Sequence, residues 1–197
     1  MIYNMDFLIS AMVILLLILW HFLGQKRAED LNNRVFLFFA VLGTADVVAE
    51  FFTNYYITSY NSDMENAAVI VTTIFYLLQA LLPVTFIFYI QTLHEQKIIS
   101  AKKMFISGVP TLVLISVILT NPFTEKLFSF DVTAGYVKGP WYLLMYVSAL
   151  GHFAVALLLI LLWRKKLGPQ KEKILLEIFV ISGVGVVLQM FCQSLLM

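Results

Sequence analysis

A single cysteine, Cys192, in a chain of 197 residues leaves no partner for an intramolecular disulfide and no set for a thiolate metal cage. Charge is also scarce, at 13% of residues against about 25% in an ordinary soluble domain. No linker, low-complexity tract or joint rich in Pro, Gly and Ser divides the sequence, so residues 1–197 read as a single integral membrane domain. No repeat relates its two halves, which counts against many transporter folds. Nucleophile elbow, phosphate loop and paired-histidine metal helix are all missing, so no enzymatic activity and no cofactor is expected of this chain. No basic face interleaved with aromatics offers itself to nucleic acid. Met1–Asp6 carries no basic residue, and Lys26 and Arg27 follow the first apolar run instead of preceding it, the reverse of a cleaved signal peptide.

What fills the chain is apolar: 61% of residues are hydrophobic. They fall into six runs, about 7–23, 35–57, 67–92, 104–119, 141–163 and 174–197. A bilayer core of about 30 Å takes roughly 17–25 helical residues, so each run is of spanning length or close to it. Eleven of the 13 basic residues fall in alternate loops: Lys26, Arg27 and Arg34; Lys97, Lys102 and Lys103; Arg164, Lys165, Lys166, Lys171 and Lys173. Only Lys126 and Lys138 lie on the other side. Basic loops stay cytoplasmic, which places both the amino and the carboxyl terminus outside a multi-pass protein of the cell (plasma) membrane. Tyr55, Tyr56, Tyr60, Trp141 and Tyr142 mark the outer interface, Trp20 and Trp163 the inner one. The fold class expected is all-α: a polytopic membrane helix bundle of six transmembrane helices.

The loop between the fourth and fifth spans carries structure of its own. Leu127-Phe128-Ser129-Phe130 reads as a strand, Asp131 to Gly135 as a turn, and Tyr136-Val137 as a second strand, which together predict a small extracytoplasmic β-hairpin. Pro122 and Pro140 bracket it and are expected to keep helices out. Such a hairpin is marginal alone, so Phe128, Phe130 and Tyr136 are expected to pack on the outer mouth of the bundle.

Polar residues within the spans point to one place. Asp46 and Glu50 lie four residues apart, on one face of the second span, with Gly43 and Asn54 extending it. A carboxylate in mid-membrane costs about 2.5–3.5 kcal/mol and marks a functional position by default. Matching stripes run along the third span (Thr72, Tyr76, Gln79, Pro83), the fifth (Met145, Ser148 or Ala149, His152) and the sixth (Ser182, Gly185, Gln189, Gln193). The ligand-binding or switch candidates are Asp46, Glu50, Asn54, Tyr76, Gln79, Tyr146, His152, Gln189 and Gln193. They share the middle and outer depths of the bundle, whereas the inner halves are almost wholly Leu, Ile, Val and Phe apart from Gln91, so a cavity opening outward beneath the hairpin is expected. Thr72, Ser148, Ser182 and the Gly183/Gly185 pair read as helix-packing residues. Asp46, Glu50 and His152 lack metal-ligand spacing, and no metal is expected.

Asn121-Pro122-Phe123, Phe128-Ser129-Phe130-Asp131 and Gly135-Tyr136-Val137-Lys138-Gly139-Pro140-Trp141-Tyr142 resemble a hallmark of the seven-span amino-terminal sensor region of bacterial, Firmicutes-type membrane histidine kinases and diguanylate cyclases. Ala45-Asp46-Val47-Val48 is similar to an acidic second span often seen there. The loop motif (Asn121, Pro122, Phe128, Phe130, Asp131, Gly135, Tyr136, Gly139 and Pro140) is the more specific part. The resemblance implies a sensory input module of the bacterial plasma membrane that takes an external or intramembrane ligand and drives a kinase or cyclase. This chain departs from that pattern by stopping near the end of its sixth span, with no seventh helix and no output domain. It is expected to be either a fragment or a free-standing relative. The partners this implies are the lipid bilayer, a small ligand or peptide, a membrane or cytoplasmic signalling protein, and a second copy in a homodimer. The competing function is a small secondary transporter that couples cations or protons through Asp46 and Glu50.

Overall fold

Apolar runs of helical period form helices here, and caps and turns set their ends. The computed structural model describes residues 5–24, 30–95, 101–131 and 135–195, with the side chains of 5–7, 62, 95, 101–107, 181–182 and 185–195 left aside. Six helices result: α1 (Met5–Gly24), α2 (Leu31–Thr58), α3 (Glu65–Glu95), α4 (Ala101–Thr124), α5 (Leu143–Leu167) and α6 (Pro169–Leu195). A 3-10 turn, Ser62–Met64, leads into α3, and strands β1 (Phe128–Asp131) and β2 (Gly135–Lys138) lie between α4 and α5.

Several helices outrun the apolar segments, for local reasons. Asp30 caps α2 by accepting the Asn33 amide at 2.8 Å, so the helix starts before Val35. Gly168, at φ 79°, turns the chain between α5 and α6, and Pro169 opens α6 at the position where a missing amide costs nothing. The expectation that Pro122 holds the helix out of the loop is wrong. α4 runs on through Pro122 to Thr124, so Asn121 and Pro122 belong to its last turn. Proline there removes a single amide, and the turn is still closed by the Glu125 N–H to the Asn121 carbonyl at 2.8 Å. The helix ends at Glu125, which takes a left-handed φ of 51°. At the other side of the hairpin, Trp141 and Tyr142 form a turn ahead of α5. α3 and α4 pass through Pro83 and Pro110 as unbroken helices.

α2, α3 and α5 are each long and apolar enough to cross a membrane. Leu8–Gly24 and Gly108–Thr124 are shorter apolar stretches. Large apolar side chains such as Leu17, Phe38, Leu150 and Leu162 face outward, while Thr53, Asn54, Thr111 and His152 are buried. That inversion suits a multi-pass membrane protein and would be a large exposed apolar surface in water.

α3 is the spine: it packs against α2, α4, α5 and β1, while α1 leans on α2 and α6 on α5. One apolar cluster gathers at the hairpin end around Phe75, Ile118, Leu127, Phe128 and Phe130. Another, around Phe86, Ile90, Ile160 and Leu175, closes the opposite end.

Candidate functional site

The hairpin expected between the fourth and fifth helices is present, antiparallel, with Phe128 opposite Lys138 and Phe130 opposite Tyr136. Period-two alternation puts Phe128 and Phe130 on the inner face, both buried, and leaves Ser129 and Val137 on the other. Taking those two rings out of water contributes about 1.5–3 kcal/mol each, enough to hold a pair of strands that is marginal alone. Phe130 also stacks on Tyr60, which follows α2, with ring centroids 5.2 Å apart.

Asn121 is the clamp at the base of this element. It is 1% exposed; its Nδ2 donates to the Phe128 carbonyl at 2.9 Å, and its Oδ1 accepts the Leu127 amide at 2.7 Å and the Phe128 amide at 3.3 Å. Gly139 completes the base. Its amide donates to the Leu127 carbonyl at 2.8 Å, and a Cβ on it would collide with the Lys126 carbonyl. Gly135 does a different job: it sits at φ 68° in open space, where the backbone conformation and not crowding asks for glycine. Asp131 pairs with it in the register and is exposed, as is Pro140 in the turn before α5.

Below the hairpin lies a cavity of about 890 Å³, within the usual range of small-molecule sites. Asp46, Glu50 and Asn54 of α2, Tyr76 and Gln79 of α3, and Tyr146 and His152 of α5 all line it, and Gly135–Lys138 of the hairpin form part of its wall. Seven of the nine ligand-binding or switch candidates named from the sequence therefore meet in one space. The side chains of Gln189 and Gln193, like those of Ser182, Gly185 and Cys192, lie outside the described residues. Thr72 is fully buried without lining the cavity, and among the described residues its hydroxyl finds no hydrogen-bond partner, so it packs as an apolar residue.

Among the described residues, two oxygens of lining residues, Asp46 Oδ1 and Thr53 Oγ1, are shut off from solvent without a hydrogen-bond partner. Thr53 was not singled out in the sequence, although it stands three residues after Glu50 on the same face. Pro83 also lines the cavity and has no amide to offer the Gln79 carbonyl.

Other polar groups are committed to one another. His152 Nδ1 lies 2.7 Å from the Ser148 carbonyl, which has no proton to give, so Nδ1 donates. In the neutral ring Nε2 then accepts from the Thr111 hydroxyl of α4, 2.9 Å away, tying α5 to α4. Nothing in the α4 sequence distinguished Thr111 as that partner. At the mouth, the Tyr76 hydroxyl meets that of Tyr136 on β2 at 2.5 Å, and Tyr142 and Tyr146 continue the series at 3.4 Å. Lys138 Nζ sits over the Tyr142 ring, 5.0 Å from its centroid, and burial there lowers its ammonium pKa below the usual lysine value. Lys126 lies over Trp141 at 4.3 Å.

The arrangement is a lidded, aromatic-rimmed pocket with a strip of acceptors along one wall. Among the described residues no group of three His, Cys, Asp or Glu side chains converges as a metal site. Compared with family models, curated proteins and solved structures, the chain matches none.

Proposed function

We propose that the chain is a sensory input module embedded in the bacterial plasma membrane, six helices crossing the bilayer with both termini and the hairpin outside. The observation that carries this reading is the cavity under the hairpin, which brings together Asp46, Glu50, Asn54, Tyr76, Gln79, Tyr146 and His152. The alternating basic loops support the orientation. The likeness of the α4–α5 loop to seven-span sensor regions supports a signalling role. A ligand entering from outside favours one packing of α2 and α5 around α3, and it shifts the equilibrium only as far as its affinities for the two packings differ. The output passes through the cytoplasmic loops, a further helix or a signalling partner, since this reading assigns no catalysis to the chain itself.

The test is a small-molecule thermal-shift screen on the protein in nanodiscs, run beside Ala149→Phe, which fills the cavity wall. Compounds that stabilise the parent alone and slow hydrogen exchange across Phe128–Lys138 are expected. If no compound separates the two proteins, or if bound compounds leave the hairpin's exchange unchanged, the sensory reading fails.

One observation favours a second reading, a small secondary transporter: two carboxyl groups, those of Asp46 and Glu50, line the cavity within the helices, as a coupling pair would. Proton flux in proteoliposomes that depends on a cavity-binding compound and disappears in Asp46→Asn would establish that reading instead.

A further inference from the structure

The cavity's wall has a chemical bias that names the class of molecule it takes. Asp46, Glu50, Thr53 and Asn54 follow one another along a single face of α2, and eight residues of helix extend this strip over about 12 Å. Asp46 and Glu50, one helical turn apart, place two carboxyl groups in that lining. Phe75, Tyr76, Tyr142, Tyr146 and Phe153 line the same cavity. The cavity therefore offers two carboxyl groups and several aromatic side chains to a single occupant.

Other occupants fit less well. An anion would meet Asp46 and Glu50 with little in return. Among the described lining residues Lys138 is the one side chain with a fixed positive charge, and it is already placed over Tyr142. His152 has both ring nitrogens engaged, with Thr111 and Ser148. A bare metal ion would find, among the described residues, no third His, Cys, Asp or Glu beside the carboxyl pair, and a lipid tail or neutral hydrocarbon would supply no donor to Asp46 or Glu50. The missing elements are a positive charge, N–H donors and an apolar body.

We infer that the cavity binds a protonated primary or secondary amine carrying an apolar, aromatic-sized body, its ammonium at the Asp46–Glu50 pair and its body against the tyrosine and phenylalanine rings. The N–H groups donate to Asp46 and Glu50, one helical turn apart, the charge is balanced by that carboxyl pair, and the rings accept both the body and part of the charge. This rests on the sensory reading of the same cavity and adds the class of ligand to it.

The test uses isothermal titration of the full chain in phosphatidylcholine nanodiscs with phenylbutylamine, phenylbutanol and phenylbutyrate, with empty nanodiscs as the blank. The amine is expected to bind about tenfold more tightly than the alcohol, and the carboxylate most weakly. Asp46→Asn is expected to cancel the amine's advantage while leaving the alcohol unchanged. Glu50→Gln, close in shape and uncharged, keeps the test valid should Asp46→Asn fail to fold, and is expected to weaken the amine about threefold. An amine no tighter than the alcohol, or one indifferent to both substitutions, overturns the inference. Saturable alcohol binding that Ala149→Phe removes, with no preference for the amine, overturns the amine class and leaves the sensing cavity standing. Absence of saturable binding by all three probes overturns the amine class too, and the sensory reading is then decided by its own screen.

Discussion

The hydroxyl of Tyr136 on the hairpin and the hydroxyl of Tyr76 on α3, sixty residues away in sequence, meet at 2.5 Å. Tyr76 is almost fully buried, and its ring also contacts Phe128 and Tyr142. The contact fastens β2 to the central helix of the bundle. Tyr136→Phe removes it without changing ring volume, so stability should fall by about 0.5–1.5 kcal/mol. Hydrogen exchange should quicken across Gly135–Lys138 and stay unchanged in α1.

Asn121 should matter more. Asn121→Ala deprives two backbone amides and one carbonyl of their partner in a buried site, and each unsatisfied group costs about 1–3 kcal/mol. Asn121→Asp keeps an acceptor for the Leu127 and Phe128 amides and loses only the donor to the Phe128 carbonyl. Thermal unfolding in nanodiscs should rank the parent above Asn121→Asp, and Asn121→Asp above Asn121→Ala.

The two hairpin glycines should respond differently to the same methyl group. At Gly135 alanine meets open space and a positive φ, a penalty of about 1 kcal/mol. At Gly139 alanine strikes the Lys126 backbone, which cannot move away without opening the base of the hairpin. Gly139→Ala should therefore lower the melting temperature well beyond Gly135→Ala and speed exchange at Leu127 and Phe128.

Thr111→Val leaves His152 Nε2 without its partner in a buried position, at a cost of about 1–3 kcal/mol. Thr73→Val is the control: that hydroxyl only returns to the Val69 carbonyl of its own helix, so its removal should be close to neutral. Equal effects in thermal unfolding would remove the interhelical role of His152.

The proposed orientation is open to chemical labelling in a Cys192→Ser background. A cysteine replacing Asn61, exposed at the hairpin end, should react on intact cells with a membrane-impermeant thiol reagent. One replacing Gln170, exposed at the opposite end, should react only after permeabilisation. The opposite pattern would invert the orientation and close the proposed route of entry.

The apolar runs were enough to show six helices, because long stretches of hydrophobic residues have few alternatives, and alternation across Leu127–Val137 was enough to show the hairpin. Helix ends were less legible. They depend on single capping events such as Asp30 to Asn33, or on a left-handed residue such as Glu125, and Pro122 pointed to the wrong boundary because a proline in the last turn costs little. The face carrying Asp46, Glu50 and Asn54 could be drawn from spacing alone, and carboxyls within an apolar run draw the eye. Thr53 was overlooked because a threonine in a span usually bonds back to its own helix, as Thr44, Thr73 and Thr85 do here. Its isolation is visible only when the neighbouring atoms are in place. The Thr111–His152 and Tyr76–Tyr136 pairs are long-range contacts, and nothing in the order of residues announces them.

Side-chain hydrogen bonds tie the hairpin to two different helices, through Asn121 at the end of α4 and through Tyr136 against Tyr76 of α3. It thereby works as a gauge of the gap between those two helices. A separation of one ångström at that end carries the Tyr76–Tyr136 contact from 2.5 Å to beyond hydrogen-bonding range for two hydroxyls. The strand that walls the cavity then stays with α4 and parts from α3. The mouth of the pocket and the packing of the bundle's central helix are therefore linked through that one contact.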